Sequence, residues 1–376
     1  MASSPRLLFV VNQLAFFKSH RLPLALAAQA AGYDVHVATA WSDDIPEMLA
    51  LGLTCHTIPL QRAGLNPWLD LRLFGVLLSL FWRLHPDVVH LVTIKPVIYG
   101  GLAARCLRLP GVVMAISGLG SVFIKKGALS RVLQGLVMRL YRHSVGGGHV
   151  RVIFQNQDDL ELFKSFTGIQ DTRTVLIPGS GVPLSVYRYL PEPDGPVVVT
   201  MAARLLVDKG VFEFVEAAQR LHASGVVARF RLAGVIDPDN PSSCTAEDLQ
   251  RWRTQGAVEL LGHCADIPAL FSESHIVVLP SYREGMPKVL LEAAACGRAV
   301  ITTDVAGCRD AIEAGVTGLL VAARDVGGLA DAIRTLIENS KARLEMGEAG
   351  RRKAEREFDI AQVVSQHMQL YKAAMT

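Results

Sequence analysis

A chain of 376 residues, half of them hydrophobic and 19% charged, has a globular profile and exceeds what one hydrophobic core supports, which implies two domains of roughly 150 to 200 residues. Its longest apolar stretch, Leu73 to Trp82, falls short of the roughly 20 residues a spanning helix needs. The formal net charge is +3, but residues 1–185 carry 17 Lys+Arg against 10 Asp+Glu, so the cationic excess belongs to the first half.

Taken in chain order, LLFVVNQ reads as a buried first strand rather than a signal peptide, because Asn12 and Gln13 interrupt the apolar run and no small-residue cleavage site follows. The helix HRLPLALAAQAAG and the strand YDVHVATA complete a βαβ opening. NQLAFFKSHR is the expected loop after strand one, and no glycine precedes Gly32 to build a dinucleotide-binding turn. The amphipathic stretches LNPWLDLRLFGVLLSLFWRL and SRVLQGLVMRLYRH alternate with strands DVVHLVT, GVVMAISG and VRVIFQN, as a parallel sheet requires. The run Gly146 to Gly148 fits a helix stop and turn. Between Asp87 and Asp158 there is no acidic residue, while Lys95, Arg105, Arg108, Lys125, Lys126, Arg131, Arg139, Arg142 and Arg151 all fall there. Such a one-sided field suits an anionic membrane face or a polyprenyl-diphosphate acceptor. No helix-turn-helix, zinc or base-stacking signature accompanies it, so nucleic acid is not an expected partner.

PEPDGP, residues 191–196, reads as an interdomain linker. After it come strand PVVVTMAAR, helix VFEFVEAAQRLHASG, and strands ARFRLAG, AVELLG, HIVVLP, RAVITTDV and TGLLV. A charged stretch from Ile333 to Phe358 and a last amphipathic helix over 360–374 end the chain. The six cysteines show no C-x-x-C spacing and read as reduced thiols, not as disulfides or metal ligands.

The stretch SYREGMPKVLLEAAACG, residues 281–297, carries the chemistry. It follows strand HIVVLP, so its loop lies at a strand's carboxyl end, Pro287 suits the first helical position, and Gly297 stops the helix. A helix N-terminus there offers unpaired N–H groups and a positive dipole end to a diphosphate. Glu284, anionic beside such a site, makes sense as an acceptor from a sugar hydroxyl, and Glu292, about one and a half turns into the helix, can reach the hydroxyls of a ribose. Balancing cations are available in MAARLLVDKGV, where Arg204 offers a forked donor and Lys209 a point charge.

Arg204 with Lys209-Gly210, Gly262 in LLGH, Glu284-Gly285-Met286-Pro287 with Glu292, and TTDVAGCRDAIEAGVTGLLV together resemble the donor domain of retaining glycosyltransferases of family 4, and the resemblance covers essentially the whole chain. It implies an α/β fold of the GT-B type, two Rossmann-like doubly wound domains facing a cleft. Residues 1–188 would receive the acceptor, 189–359 the nucleotide sugar, and 360–376 would be a helix crossing back to the first domain. By the same resemblance Arg204 and Lys209 bind the diphosphate of a UDP-sugar, Glu284 meets the transferred sugar and Glu292 the ribose. The backbone from Gly285 through Met286 and Pro287 to Lys288 would contact sugar and phosphates. The segments KSHRLP, HLVTIKPVIYGG and ISGLGSVFIKKG resemble those of bacterial enzymes that build capsule, O-antigen or other lipid-linked saccharides. His20, Lys95, Ser117 and Gly118 are the acceptor-side candidates; many family members carry a histidine near the position of Ser117, and this chain does not.

The implied activity is transfer of a sugar, an N-acetylhexosamine being the first candidate, from a UDP-sugar to a polyprenyl-diphosphate-linked saccharide by same-face substitution. No metal or other cofactor is expected, because Arg204 and Lys209 can neutralise the diphosphate. The implied location is the cytoplasm, peripheral on the inner face of the cytoplasmic membrane. Two alternatives are a UDP-sugar epimerase of the same architecture and a non-catalytic membrane-assembly subunit.

Overall fold

The computed structural model describes residues 4–61, 66–119, 128–147 and 149–375, with the backbone alone over 128–130. The chain forms two compact units, residues 1–180 with 361–376, and residues 181–360.

The first unit is built on seven parallel strands: β1 (Arg6–Val10), β2 (Asp34–Thr39), β3 (Thr54–Thr57), β4 (Val88–Val92), β5 (Gly111–Ile116), β6 (Val150–Phe154) and β7 (Thr174–Leu176). Their order across the sheet is β3-β2-β1-β4-β5-β6-β7. β4 and β5 are buried along their whole length, which is why VVHLV and GVVMAI read as continuous rather than alternating apolar runs. Between the strands lie α1 (Leu14–His20), α2 (Leu22–Ala30), α3 (Ile45–Ala50), α4 (Pro67–Leu84), α5 (Gly101–Leu107), α6 (Ala128–Ser144) and α7 (Gln157–Thr167). α4, α6 and α7 bury Phe81, Tyr141 and Phe163 on one face of the sheet, and α1 and α2 bury Phe17 and Leu24 on the other. The stretch expected as a loop after β1 is helical: α1 occupies it, and Arg21, at φ −131°, separates α1 from α2 where one helix was expected.

The second unit repeats the plan with β8 (Val198–Ala202), β9 (Arg229–Ala233), β10 (Glu259–Gly262), β11 (Ile276–Leu279), β12 (Ala299–Thr303) and β13 (Gly318–Val321), all parallel, in the order β10-β9-β8-β11-β12-β13. Its helices are α8 (Val211–Ala223), α9 (Ala246–Gln255), α10 (Ile267–Ser272), α11 (Lys288–Ala295), α12 (Cys308–Ala311), α13 (Val326–Glu338) and α14 (Ser340–Lys353). PEPDGP does not divide the domains but lies inside this unit. Arg298 donates to the carbonyls of Leu190 and Pro191 at 2.8 and 3.2 Å, and the Arg343 fork holds Glu192 through two 2.8 Å bonds.

α15 (Ile360–Met375) returns to the first unit and completes its core with Val363, Tyr371 and Ala374. Burying apolar side chains of this size contributes about 1.5–3 kcal/mol each. Beneath the helix the Tyr371 hydroxyl lies 2.5 Å from His90 Nδ1 on β4, and the His90 and His367 rings stack at 5.7 Å. Burial holds both imidazoles neutral, pushing His90 well below the ordinary range and His367 down to about 3. Among the described residues no helix is long and apolar enough to cross a membrane.

In each sheet the strand order reverses once, between β1 and β4 and between β8 and β11. Doubly wound sheets bind ligands beyond the carboxyl ends of their strands at such a point.

Candidate active site

Lys209 and Glu284 come from the two loops that flank the β8/β11 reversal. The chain leaves β8 through Ala203 and Arg204, makes a short turn over Val207–Lys209, and enters α8 at Gly210. Gly210 has φ +75°, and a Cβ there would fall 2.2 Å from the carbonyl oxygen of Pro280 at the end of β11. Only glycine lets the two loops lie this close. The backbone amide of Tyr282 then donates to Asp208 O at 2.9 Å, and Lys209 Nζ pairs with Glu284 Oε1 in a largely enclosed position.

The Ser281 hydroxyl donates to the same carboxylate oxygen at 2.7 Å, and neither bond uses Oε2. Behind Glu284, its amide donates to Ala306 O at 3.2 Å, and the loop after β12 presses so close that a Cβ on Gly307 would lie 2.4 Å from Gly285 O. The Thr303 hydroxyl donates to Ser281 O, fixing the start of the turn. Cys308 lies beneath; burial, then the Glu284 carboxylate, push its thiol up to about 12, so it stays neutral.

The helix that follows begins one residue later than expected. Pro287 is its N-cap, with extended backbone at φ −73° and ψ 111°, and Lys288 is the first helical residue. In that place the proline carbonyl accepts from Leu290 N at 3.0 Å, while proline has no N–H to leave unpaired. No side chain caps α11, so its first turn presents the positive end of the helix dipole uncovered by a carboxylate or hydroxyl cap.

A pocket of about 220 Å³ opens beyond the carboxyl ends of β8, β9 and β10, lined among others by Arg204, Gly234, His263, Val289 and Glu292. Gly262 ends β10 and accepts from Gly234 N at 2.7 Å, which turns the chain into His263. Glu292 is nearly buried in the pocket wall; the Tyr187 hydroxyl donates to its Oε1 at 2.6 Å, and Lys288 Nζ lies 3.1 Å from the same oxygen. Arg351 anchors Tyr187 by donating both to its carbonyl at 2.9 Å and to Ala295 O at 2.7 Å. Burial and then the Glu292 carboxylate raise the tyrosine's pKa, so its hydroxyl remains a donor.

The cations expected together on a diphosphate are held apart. Lys209 rests on Glu284, whereas half-exposed Arg204 donates to Asp237 Oδ2 at 2.8 Å. Asp237 belongs to an Asp-x-Asp, Asp237-Pro238-Asp239. Among the described residues no group of three His, Cys, Asp or Glu side chains is placed to hold a metal ion.

In the first unit, His20 ends α1 with its ring stacked on Phe16 at 4.2 Å and Nδ1 2.5 Å from Ser19 Oγ. Lys95 Nζ lies 2.8 Å from Asp70 Oδ1, both side chains little exposed, so the acid-free stretch spends one of its cations on an aspartate contributed by α4. Ser117 and Gly118 follow β5 at its carboxyl end, Gly118 with φ +109°. Lys125, Lys126 and Gly148 lie outside the described residues. Residues that the sequence did not single out, Tyr187, Ser281, Asp237 and Gly307, complete the second unit's site.

Two families match the chain: one described as Glycosyl transferase 4-like over residues 6–156, and Glycosyl transferases group 1 over residues 188–353. The chain belongs to the GT-B glycosyltransferases of the family 4 type. This glycosyltransferase is 29% identical over 381 residues to N,N'-diacetylbacillosaminyl-diphospho-undecaprenol alpha-1,3-N-acetylgalactosaminyltransferase of Campylobacter jejuni, covering 97% of its own chain and 98% of that protein. It is 23% identical over 286 residues to an Escherichia coli UDP-Gal:alpha-D-GlcNAc-diphosphoundecaprenol alpha-1,3-galactosyltransferase, covering 73% and 72% of the two chains. Among solved structures, Anabaena Alr3699/HepE in complex with UDP shares the glycosyltransferase's fold with a TM-score of 0.76 at 18% identity, covering 98% of this chain and 100% of that one.

Proposed function

We propose that the enzyme transfers a sugar from a UDP-sugar to a polyprenyl-diphosphate-linked saccharide with retention at the anomeric carbon, the sugar being an N-acetylhexosamine. The observation that carries this reading is the meeting of Lys209, Glu284 and Ser281 beside the uncapped start of α11, with the Glu292 pocket one turn further on. The names of the Campylobacter and Escherichia relatives, both acting on undecaprenyl-diphosphate-linked sugars, support the acceptor class, and the first supports the N-acetylhexosamine.

In this reading the pyrimidine nucleoside enters the pocket and its ribose hydroxyls meet Glu292. The diphosphate lies at the α11 N-terminus and draws Arg204 off Asp237 and Lys209 off Glu284. Glu284, released from the lysine, accepts from a hydroxyl of the transferred sugar. The bond from the anomeric carbon to the β-phosphate oxygen breaks, and the charge that grows on UDP is matched by the two cations and the helix end. The acceptor hydroxyl attacks the same face and gives its proton to the departing phosphate, so UDP leaves and the new glycosidic bond keeps the donor's configuration. The protein's own cations carry the leaving charge, and transfer is expected to persist in chelator.

The test is to incubate the purified enzyme with a panel of UDP-sugars and a synthetic polyprenyl-diphosphate monosaccharide, reading product mass and anomeric configuration. A new α-linked disaccharide from an α-linked UDP-N-acetylhexosamine, lost in Glu284→Ala, is the expected result. Full transfer by Glu284→Ala, an inverted product, or conversion of the UDP-sugar without acceptor would overturn it, the last in favour of an epimerase.

A further inference from the structure

The two loops that meet at the β8/β11 reversal are joined again away from the Glu284 carboxylate. The Tyr282 hydroxyl donates at 2.5 Å to Oε1 of Glu213, in the first turn of α8, while the Tyr282 amide donates to Asp208 O at 2.9 Å. Arg324, from the loop after β13, stacks its guanidinium 4.3 Å from the centre of the same ring. That arginine has a left-handed backbone at φ +64°, a conformation uncommon away from glycine that gathers at functional positions. Tyr282 is therefore gripped by its amide, its hydroxyl and its ring face. Burial, then the Glu213 carboxylate, raise its pKa to about 12, so the phenol remains a donor.

Glu213 keeps a second oxygen, Oε2, buried and without a hydrogen-bond partner. A buried carboxylate with an unsatisfied oxygen is costly, and packing alone would favour an apolar side chain at this position of α8. The contact calls for a reason other than stability. None of Tyr282, Glu213 and Arg324 lines the Glu292 pocket. They stand instead beside the tips of the two loops, since Lys209 comes four residues before Glu213 and Glu284 two after Tyr282. Those tips are tied to each other by the Lys209–Glu284 pair, and the transfer mechanism above parts that pair when the diphosphate draws Lys209 away.

We propose that the Tyr282–Glu213 hydrogen bond, backed by Arg324, is a positioning device for Lys209 and Glu284, keeping the two loops in register once the Lys209–Glu284 pair has parted. Without it the loops would turn about the bond from the Tyr282 amide to Asp208, and the cation and the carboxylate would lose their alignment. The purpose of the tie rests on the transfer reading, but the tie itself can be measured with no substrate, so the two can fail separately.

Hydrogen exchange on the full chain tests it, read at the amides of Lys209, Gly210 and Tyr282, each of which is hydrogen-bonded. Tyr282→Phe alone and Lys209→Met alone should exchange nearly as the parent does, because each leaves the other tie in place. Combined, they should speed exchange at these amides at least about tenfold, a factor that a hydrogen bond to a charged group sustains. In transfer assays Tyr282→Phe and Glu213→Leu should each lower kcat about tenfold, with donor KM and UDP affinity within about twofold of the parent. The two together should lose no more than either alone, and Glu213→Gln, which still offers the hydroxyl an oxygen, should recover most of the rate. Exchange in the combined variant no faster than in Lys209→Met would overturn the proposal. So would a parent-like kcat in Tyr282→Phe, a loss confined to UDP affinity, losses that multiply in Tyr282→Phe with Glu213→Leu, or a Glu213→Gln rate no better than that of Glu213→Leu. Faster exchange in the combined variant of a chain that transfers no sugar would keep the tie and refute the transfer reading instead.

Discussion

Tyr187→Phe removes one oxygen and tests the pocket without emptying it. The hydroxyl donates at 2.6 Å to a carboxylate that is only 6% exposed, so water cannot readily replace it. Hydrogen bonds to charged groups contribute about 1.5–3 kcal/mol. In a unit of 180 residues, where each kcal/mol shifts the midpoint by about 2–4 °C, the melting temperature should fall by about 3–12 °C. Lys288, 3.1 Å from the same oxygen, stays and can pull the carboxylate toward the helix start. If Glu292 grips the ribose, UDP affinity should fall about tenfold, or about 1.4 kcal/mol. Scanning calorimetry measures the first effect and titration calorimetry with UDP the second. A lowered melting temperature with unchanged UDP affinity would separate Glu292 from the nucleotide, and no change in either would refute the role given to the hydroxyl.

Lys209→Met should leave the circular dichroism spectrum intact yet slow transfer at least about 100-fold, because it removes a cation aimed at the leaving group; a fall of less than threefold would place the leaving group elsewhere. Gly210→Ala should cost about 1–2 kcal/mol for its left-handed backbone alone and, by pushing the turn off Pro280, slow transfer about 100-fold. A parent-like rate would mean the turn can yield without disturbing Lys209. Stability should fall with acidification, because the unfolded chain protonates His90 and His367 near pH 6.5 while the folded one holds both neutral, His367 down to about 3. Below pH 6.5 the unfolded state binds more protons, and each histidine withdraws about 1.4 kcal/mol per pH unit. Urea melts of the parent and His367→Phe at pH 7.5 and 5.5 should show the variant less acid-sensitive, and equal sensitivity would exclude the ring.

Central strands were legible because a parallel strand covered on both faces must be apolar throughout, and HIVVLP and GVVMAISG can hardly be anything else. β3 and β7 escape this logic: TCHT and TVL are short and only partly buried, so they read as connections. PEPDGP misled for the opposite reason. Proline and glycine mark a turn, but whether that turn hangs free depends on Arg298 and Arg343, roughly 100 and 150 residues away, which clamp it. In the site, Glu284 and Lys209 could be found because each follows a recognisable strand. Tyr187 could not, since its value lies in reaching Glu292 across 105 residues, and no local pattern encodes that contact. Asp237 stands close enough to have been noticed, and its hold on Arg204 changes where the second cation waits.

The first unit's discontinuity in sequence has a consequence for synthesis. Its opening 180 residues are made first, but Val363, Tyr371 and Ala374, which close one face of its sheet, follow only after the whole second unit. At translation speeds of about 5–20 residues per second that interval lasts roughly 10–40 seconds. Throughout it the nascent first unit lacks Tyr371, the α15 residue against which Phe9, Tyr33 and His90 pack. The second unit, contiguous in sequence, has no such wait, so the order of folding on the ribosome should run against the order of the chain, and a protein truncated before residue 361 would keep a foldable second unit beside an unfinished first one.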